Sequence, residues 1–220
     1  FYYKPRIDKE ILASHHEGLI GMSACLKGEV ASALLNDDFA GAVRAASEYV
    51  DIFGKDNFFL EVQNHNLPEQ LKVNKHIAEL SRKTGVQLVA TNDVHYLKKE
   101  HAAAHEVLLC LQTQTVMSDP DRMRYRTNEF YMKTRAEMEQ SLKEFHDAID
   151  RTVEIAERCN VEIEFGAPHF PVFEVPKGTT QKDYLLKLGL EGLASRYGIA
   201  APDNPKDDRE REVMKRFRDE

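Results

Sequence analysis

Apolar runs of strand length alternate with helix-like segments over the first half of the chain. The runs predict strands at Gly18–Leu26, Asn57–Gln63 and Gln87–Thr91. Elsewhere apolar residues recur every three or four positions, which predicts helices at Asn36–Phe53, Pro68–Thr84 and about Lys98 to Leu111. Strands and helices that alternate over short connections build a parallel sheet with right-handed crossovers. The pattern therefore predicts an α/β fold.

The next fifty residues lose this alternation. Gln112–Arg126 is polar and lacks periodicity, which predicts a loop, and Asn128–Met132 is predicted to be a short extended piece. Two helices in tandem are predicted at Thr134–Phe145 and Asp147–Cys159, the first opening with a capping box at Thr134. This part of the chain is predicted to be mainly helical.

A change of character marks a domain junction. Asn160–Gly178 holds three prolines and two glycines between apolar residues, so it cannot form a long helix. Helical patterns resume at Thr179–Tyr197 and Asp207–Glu220. We therefore place the junction near Gly166 and predict two parts, 1–165 and 166–220.

Composition narrows the class of protein. The 220 residues are 42% hydrophobic and 30% charged, as in a globular protein. No apolar run approaches the roughly 20 residues that cross a membrane, and the N-terminus lacks a secretory signal. The three cysteines, Cys25, Cys110 and Cys159, form no disulfide pattern, which favours a reducing cytoplasm. The net charge of −7 argues against a chain that is basic throughout and binds nucleic acid by charge alone.

Potential metal ligands follow the predicted strands. Cys25 ends the first, Gln63–His65 follows the second, and Asp93 and His95 follow the third. In extended backbone, residues two apart point to the same side, so this carboxylate and imidazole would converge. The carboxyl ends of parallel strands lie on one rim of the sheet, where sites form in α/β folds. A purely structural alternative remains open, in which Asp93 caps the next helix and His95 lies on the surface.

Two further groups of polar residues are weaker candidates. His65 lies on the same rim and is a candidate for contact with substrate or with a metal ligand. Arg122, Arg124 and Arg126 alternate, so on an extended segment they would face one way and could contact phosphates. A solvated basic loop is the alternative for the arginines.

Five segments in order resemble the alpha subunit of bacterial DNA polymerase III, of the main replicative type. They are GLIGMSACLKGEV, FFLEVQNHNLPEQ, VATNDVHYLKKEHAAAHEVLLCLQT, DPDRMRY and NEFYMK. The most specific combination is TNDVHY with LLCLQT downstream. The resemblance covers nearly the whole chain.

The resemblance implies a fold and a ligand set. It makes residues 1–165 the C-terminal portion of a polymerase-and-histidinol-phosphatase (PHP) domain, a distorted (βα) barrel, and residues 166–220 the lead-in to the polymerase domain. Cys25, Asp93 and His95 match metal ligands of that domain, which takes zinc or manganese. Other ligands, including a His-x-His pair, and the N-terminal half of the barrel are expected upstream of Phe1.

The resemblance also implies a function and partners. The intact subunit synthesises DNA on a primer-template, with magnesium at a polymerase site expected beyond Glu220. It works in the cytoplasm with other holoenzyme subunits, including the sliding clamp. A PHP domain with its full ligand set can act as a 3′–5′ exonuclease, its metals activating water. Both active centres are expected to be incomplete in this chain.

Two other functions remain open from the sequence. One is a freestanding phosphoesterase of the PHP superfamily, against which residues 134–220 argue, because such a chain would end soon after the barrel. The other is a non-catalytic scaffold in which Cys25, Asp93 and His95 only pack. Metal content distinguishes the scaffold from the metal-binding subunit.

Overall fold

A computed structural model describes residues 5–168, 170–199, 201 and 203–219, in two compact units, Phe1–Val161 and Glu162–Glu220. The strands are β1 Gly21–Met22, β2 Phe58–Val62 and β3 Leu88–Ala90. The helices are α1 Lys9–Ser14, α2 Glu29–Leu35, α3 Phe39–Phe53, α4 Pro68–Thr84, α5 Ala102–Thr113 after a 3₁₀ turn at Lys99–His101, α6 Arg135–Ser141, α7 His146–Arg158, α8 Gln181–Tyr197 and α9 Asp208–Asp219. In the described residues, no helix is both long and apolar enough to span a membrane.

The three strands form a parallel sheet in the order β1-β2-β3, which confirms the predicted α/β class. The prediction of a first strand over Gly18–Leu26 is too long, since only Gly21 and Met22 pair with β2. The chain turns away directly afterwards, because Ala24 adopts a φ of +63°. Gly21 itself is required by packing, since a Cβ there would lie 2.6 Å from the Phe53 ring.

The central strand carries the core of the first unit. Phe58, Leu60 and Val62 alternate onto one face of the sheet, where they pack with α2, α3, α4 and the start of α7. Phe59 points to the opposite face and packs with Val89. Burial on both faces is typical of strands in a parallel sheet.

One helix, α2, is missing from the sequence-based prediction, which has no helix between the first strand and Asn36. Its buried Val30, Ala31 and Leu34 already carry helical spacing. Asp37, with a φ of +61°, separates α2 from α3. The side chain of Asp38 then caps α3 by accepting from Gly41 N at 2.7 Å.

Helix α4 spans the predicted Pro68–Thr84. Pro68 occupies its first turn, and Gly85 ends it in the left-handed conformation, as the sequence predicts. The predicted capping box at the start of α6 is also present, with Thr134 and Glu137 bonded reciprocally. The extended piece at 128–132 pairs with the chain after β3 through a parallel bridge between Tyr96 and Tyr131.

The second unit has its own small core. Leu193 of α8, Ile199 and Met214 of α9 are buried together. Residues 160–168 and 170–178 contain no helix or strand, and apolar side chains such as Phe165 are exposed there. The unit boundary falls at Val161, near the predicted junction at Gly166; the assignment of 1–165 and 166–220 to particular polymerase domains stays a prediction.

The middle of β2 should dominate the stability of the first unit. Leu60 is 0% exposed, whereas Leu71 on the surface of α4 is 56% exposed. We expect Leu60→Ala to lower the free energy of unfolding by about 2–5 kcal/mol, because it leaves a cavity. The matched Leu71→Ala should change it by less than about 0.5 kcal/mol. Urea unfolding followed by circular dichroism measures both, and equal losses would refute this description of the core.

Candidate metal centre

A cleft opens where the three parallel strands end. Its walls include Cys25 after β1 and Asp93 with His95 after β3. Arg124, Tyr125, Arg126 and Phe130, from the loop before α6, line it as well. The structure thus brings the thiol, carboxylate and imidazole singled out in the sequence to one cleft.

A tight turn holds Cys25. Gly28 N donates to the Cys25 carbonyl at 2.8 Å, closing the turn. A Cβ on Gly28 would lie 2.2 Å from the Ser23 carbonyl oxygen, so only glycine fits. The left-handed Ala24 precedes the cysteine. Cys25 is half-buried, with part of its side chain accessible from the cleft.

Asp93 departs from the extended backbone assumed in the sequence-based argument. Its φ is +43°, in the left-handed region that residues other than glycine seldom occupy. That argument for convergence is therefore wrong, but the two side chains still approach each other. Asp93 Oδ1 lies 4.0 Å from His95 Nδ1. Unusual backbone of this kind is concentrated at functional sites in proteins.

His95 is held at three points. Its backbone N–H donates to the Phe130 carbonyl at 2.8 Å. Its ring Nδ1 donates to the backbone carbonyl of Asp93 at 2.6 Å, which leaves the lone pair on Nε2. The Tyr125 hydroxyl donates to that Nε2 at 2.6 Å. Burial and the nearby carboxylate of Asp93 raise the pKa of Tyr125, so the phenol remains protonated.

The donor types fit a divalent transition metal. Zinc binds thiolate, imidazole and carboxylate, and a ligating histidine commonly donates its second N–H to a carbonyl, as His95 does. Among the described residues, however, no group of three or more His, Cys, Asp or Glu side chains is arranged to hold a metal ion. Cys25, Asp93 and His95 share a cleft but do not form a closed ligand set.

His65 is fully buried. Its imidazole therefore cannot contact substrate on the rim, and this one of its two predicted roles is wrong. Its Nε2 donates to the Asn92 carbonyl at 2.8 Å, and its Nδ1 accepts from Gln70 Nε2 at 2.8 Å. Its ring stacks on Phe130 with centroids 3.9 Å apart. His65 therefore joins β2, α4 and the segments that carry Asp93 and Phe130.

Asn92 and Lys133 extend this buried polar network. Asn92 Nδ2 donates to the Tyr131 carbonyl at 2.7 Å, and its Oδ1 accepts from Lys133 Nζ at 3.1 Å. The Lys133 side chain is only 3% exposed and pairs with Glu129 at 3.3 Å. Burial lowers the pKa of Lys133, but the ion pair with Glu129 partly compensates. The network anchors segment 129–133 beside the cleft.

The three arginines do not face one way. Arg122 lies away from the cleft and pairs with Glu106 on α5, so the predicted phosphate contact has no support for this residue. Arg126 lines the cleft and pairs with Glu69 at 2.8 Å. Arg124 lines the cleft, is exposed, and has no hydrogen bond or ion pair with other described residues. The loop is curled rather than extended, which separates the three side chains.

The sequence-based analysis missed Tyr125, Asn92 and Lys133. Tyr125 stands between two of the singled-out arginines, and Asn92 directly precedes Asp93. Their roles depend on segment 125–133 folding back onto the end of β3. No local pattern predicts that contact, because the partners lie thirty or more residues apart in sequence.

The chain is similar to one protein-family model and to subunits of a bacterial DNA polymerase. A family model described as PHP domain matches residues 1–65. The chain is 45% identical over 221 residues to DNA polymerase III subunit alpha of Thermus aquaticus. The aligned region covers 98% of this chain and 18% of that protein. The same subunit is 41% identical in Treponema pallidum (92% of this chain, 17% of the relative) and 37% in Mycobacterium tuberculosis (90% and 17%).

These matches confirm the resemblance predicted from the sequence. The chain spans less than a fifth of the length of the curated relatives it matches. The PHP match and the three-stranded parallel sheet also agree with part of a PHP barrel.

The buried His65 should make stability fall in mild acid. Burial lowers its pKa below the ordinary value of 6.5, so as the pH falls the unfolded chain takes up this proton first. We expect the free energy of unfolding to drop between about pH 7.5 and pH 5.5, and His65→Gln to reduce that slope. His101→Gln, at an exposed histidine, is the control. Urea titrations at both pH values measure the slopes, and identical slopes in wild type and His65→Gln would count against a neutral buried His65.

Proposed function

We propose that this chain is part of the alpha subunit of a bacterial DNA polymerase III, and that Cys25, Asp93 and His95 are ligands of a PHP-type divalent metal site. The observation that carries the proposal is the cleft at the ends of the three parallel strands, which these residues line together. The similarity to alpha subunits over at least nine-tenths of the chain in the three relatives supports it.

The donor set favours zinc or manganese. Zinc accepts sulfur, nitrogen and oxygen ligands, whereas manganese favours carboxylate oxygen. A thiolate ligand from Cys25 would therefore favour zinc. The remaining ligands would come from the longer protein, including the N-terminal half of the barrel. The described residues by themselves contain no group of three or more His, Cys, Asp or Glu side chains arranged to hold a metal ion.

The chemistry proposed for the cleft is 3′–5′ hydrolysis of a phosphodiester. Divalent metals supply an activated water and stabilise the negative charge on the phosphate when they are bound. The chain itself contributes orientation. The Asp93 carbonyl fixes the tautomer of His95. Arg124, whose guanidinium has no partner among the described residues, offers it to a DNA phosphate at the same cleft.

Template-directed synthesis belongs to the proposed full-length subunit. There we propose magnesium at a polymerase site outside this chain, a primer-template as substrate, and the sliding clamp with other holoenzyme subunits as partners. The cytoplasm is the proposed location.

A non-catalytic scaffold is the second candidate. It is favoured by the hydrogen bond that occupies His95 Nε2 and by the neutral, fully bonded His65 behind the cleft. A freestanding phosphoesterase is disfavoured, because the similarity to alpha subunits continues through the second unit. Metal content separates the scaffold from the metal-binding subunit.

Asp93→Asn in the full-length protein tests the ligand assignment. We expect its zinc or manganese content after purification to fall, with affinity reduced at least about tenfold, because a carboxylate ligand is lost. Asp51→Asn on the exposed surface of α3 is the matched control and should retain the metal. Elemental analysis measures both. A full metal complement in Asp93→Asn would mean that Asp93 is not a ligand.

Arg124→Ala tests the phosphate contact. In the full-length protein we expect weaker binding of single-stranded DNA. The slope of log K against log[salt] should fall in magnitude by about one, as expected for the loss of one phosphate contact. Arg44→Ala, at an exposed arginine of α3 outside the cleft, should leave both unchanged. Fluorescence anisotropy at several salt concentrations measures the two quantities. If both variants behave alike, Arg124 does not contact DNA.

A further inference from the structure

A second cavity, of about 450 Å³, lies between α5 and the loop that precedes α6. Its volume is within the range of roughly 300–1,000 Å³ that is usual for small-molecule pockets. Tyr125 and Arg126 line both this cavity and the cleft, so the two spaces adjoin. None of the three proposed metal ligands lines it.

One wall of the cavity is aromatic. Tyr96, His105 and Tyr125 all line it. The ring of His105 contacts the rings of Tyr96 and Tyr125, with centroids 5.3 Å apart in both pairs. Nucleobases of any sequence stack on side chains of this kind. The wall therefore favours a flat ligand.

Neutral polar groups around the cavity lack partners. The hydroxyl oxygens of Tyr96 and Thr127 are buried and have no hydrogen-bond partner among the described residues. The Phe130 backbone acts on the pKa of Tyr96 as a hydrogen-bond donor does, so it offers no acceptor for the phenolic proton. Within the same part of the chain, the side chains of His105 and Asn128 make no hydrogen bond either. Since buried polar atoms are nearly always bonded in native proteins, this lining suits a ligand that both donates and accepts.

The charged groups of the cavity, by contrast, are already paired. Arg126 pairs with Glu69 at 2.8 Å, and Glu106 pairs with Arg122. The hydrogen-bonding capacity that remains is neutral, which suits a nucleobase rather than its phosphate. A base presents several donors and acceptors along its edges, whereas an aromatic side chain of a protein partner presents at most one or two polar atoms.

We propose that this cavity is a nucleobase pocket, which takes the unpaired 3′-terminal base of single-stranded DNA whose phosphate lies in the adjoining cleft. The base stacks on the aromatic wall, and its edge bonds to the hydroxyls of Tyr96 and Thr127. Both oxygens are shielded from water, so loop 125–128 shifts slightly as the base enters. The inference rests on the proposed function only in taking the cleft to bind DNA, and no metal ion enters it.

Removal of the Tyr96 hydroxyl separates a role in binding from a role in folding. We expect Tyr96→Phe to weaken binding of the base by about 2- to 10-fold, because one hydrogen bond is lost. The melting temperature should stay the same or rise, since a buried hydroxyl without a partner is removed. A hydroxyl that served only the fold would lower the melting temperature and leave binding unchanged.

Thr127→Val should act in the same way, because it removes the second hydroxyl and keeps the shape of the side chain. Tyr49→Phe is the matched control, since the Tyr49 hydroxyl donates to Glu29 at 3.0 Å and lies outside the cavity. It should leave binding of the base unchanged. Unchanged binding in both Tyr96→Phe and Thr127→Val would overturn the pocket.

Photocrosslinking of the full-length protein to a single-stranded oligonucleotide that ends in 5-iododeoxyuridine locates the base. A chelator is present, so that the oligonucleotide is not hydrolysed. Mass spectrometry identifies the crosslinked residues, and competition by unlabelled oligonucleotides measures affinity at that position. We expect crosslinks to His105 or Tyr125. A competitor with a normal 3′-terminal base should be about 5- to 100-fold more effective than one with an abasic end, as for loss of one stacked base.

The outcomes separate the pocket from the proposed cleft. If the cavity is crosslinked but Arg124→Ala binds DNA as wild type does, the pocket stands and the phosphate contact in the cleft is wrong. If Arg124→Ala weakens binding but the cavity is not crosslinked, or the abasic competitor is equally effective, the pocket is wrong and the cleft stands. If neither effect is seen, both are wrong.

Discussion

The cleft depends on the imidazole of His65. Its ring stacks on Phe130, and its two nitrogens bond to Asn92 and Gln70. Since the Phe130 carbonyl in turn accepts from the backbone N–H of His95, one buried side chain supports the part of the cleft that carries Asp93, His95 and Phe130. The imidazole is neutral because both bonds require the Nε2–H tautomer, and a buried charge would be costly there.

Both polar and apolar packing support the candidate centre. A small apolar cluster that includes Leu67 and Phe130 lies at the cleft, apart from the main core beside β2. Asn92 and Lys133 form a buried polar network next to it. Fully bonded polar networks specify one arrangement more strictly than apolar packing does. Such rigidity suits ligands that must be held at fixed positions, and the network adjoins the left-handed backbone at Asp93.

Much of the fold could be predicted from local pattern. The period of apolar residues and the terminal Pro and Gly located α4, and the apolar runs located β2 and β3. The candidate ligands were found because parallel strands end on one rim. The length of β1, the conformation of Asp93 and the contact of Tyr125 with His95 were not predictable in this way. Each depends on contacts between distant parts of the chain or on backbone in an uncommon region.

We propose that Cys25, Asp93 and His95 bind one metal ion in the cleft. X-ray absorption at the zinc edge of the full-length protein, compared with its Cys25→Ser variant, tests this most directly. The account predicts a sulfur scatterer about 2.3 Å from zinc in wild type, with nitrogen or oxygen ligands at about 2.0–2.2 Å, and no sulfur in the variant. A shell of nitrogen and oxygen alone in wild type, or a sulfur that survives in Cys25→Ser, would contradict it.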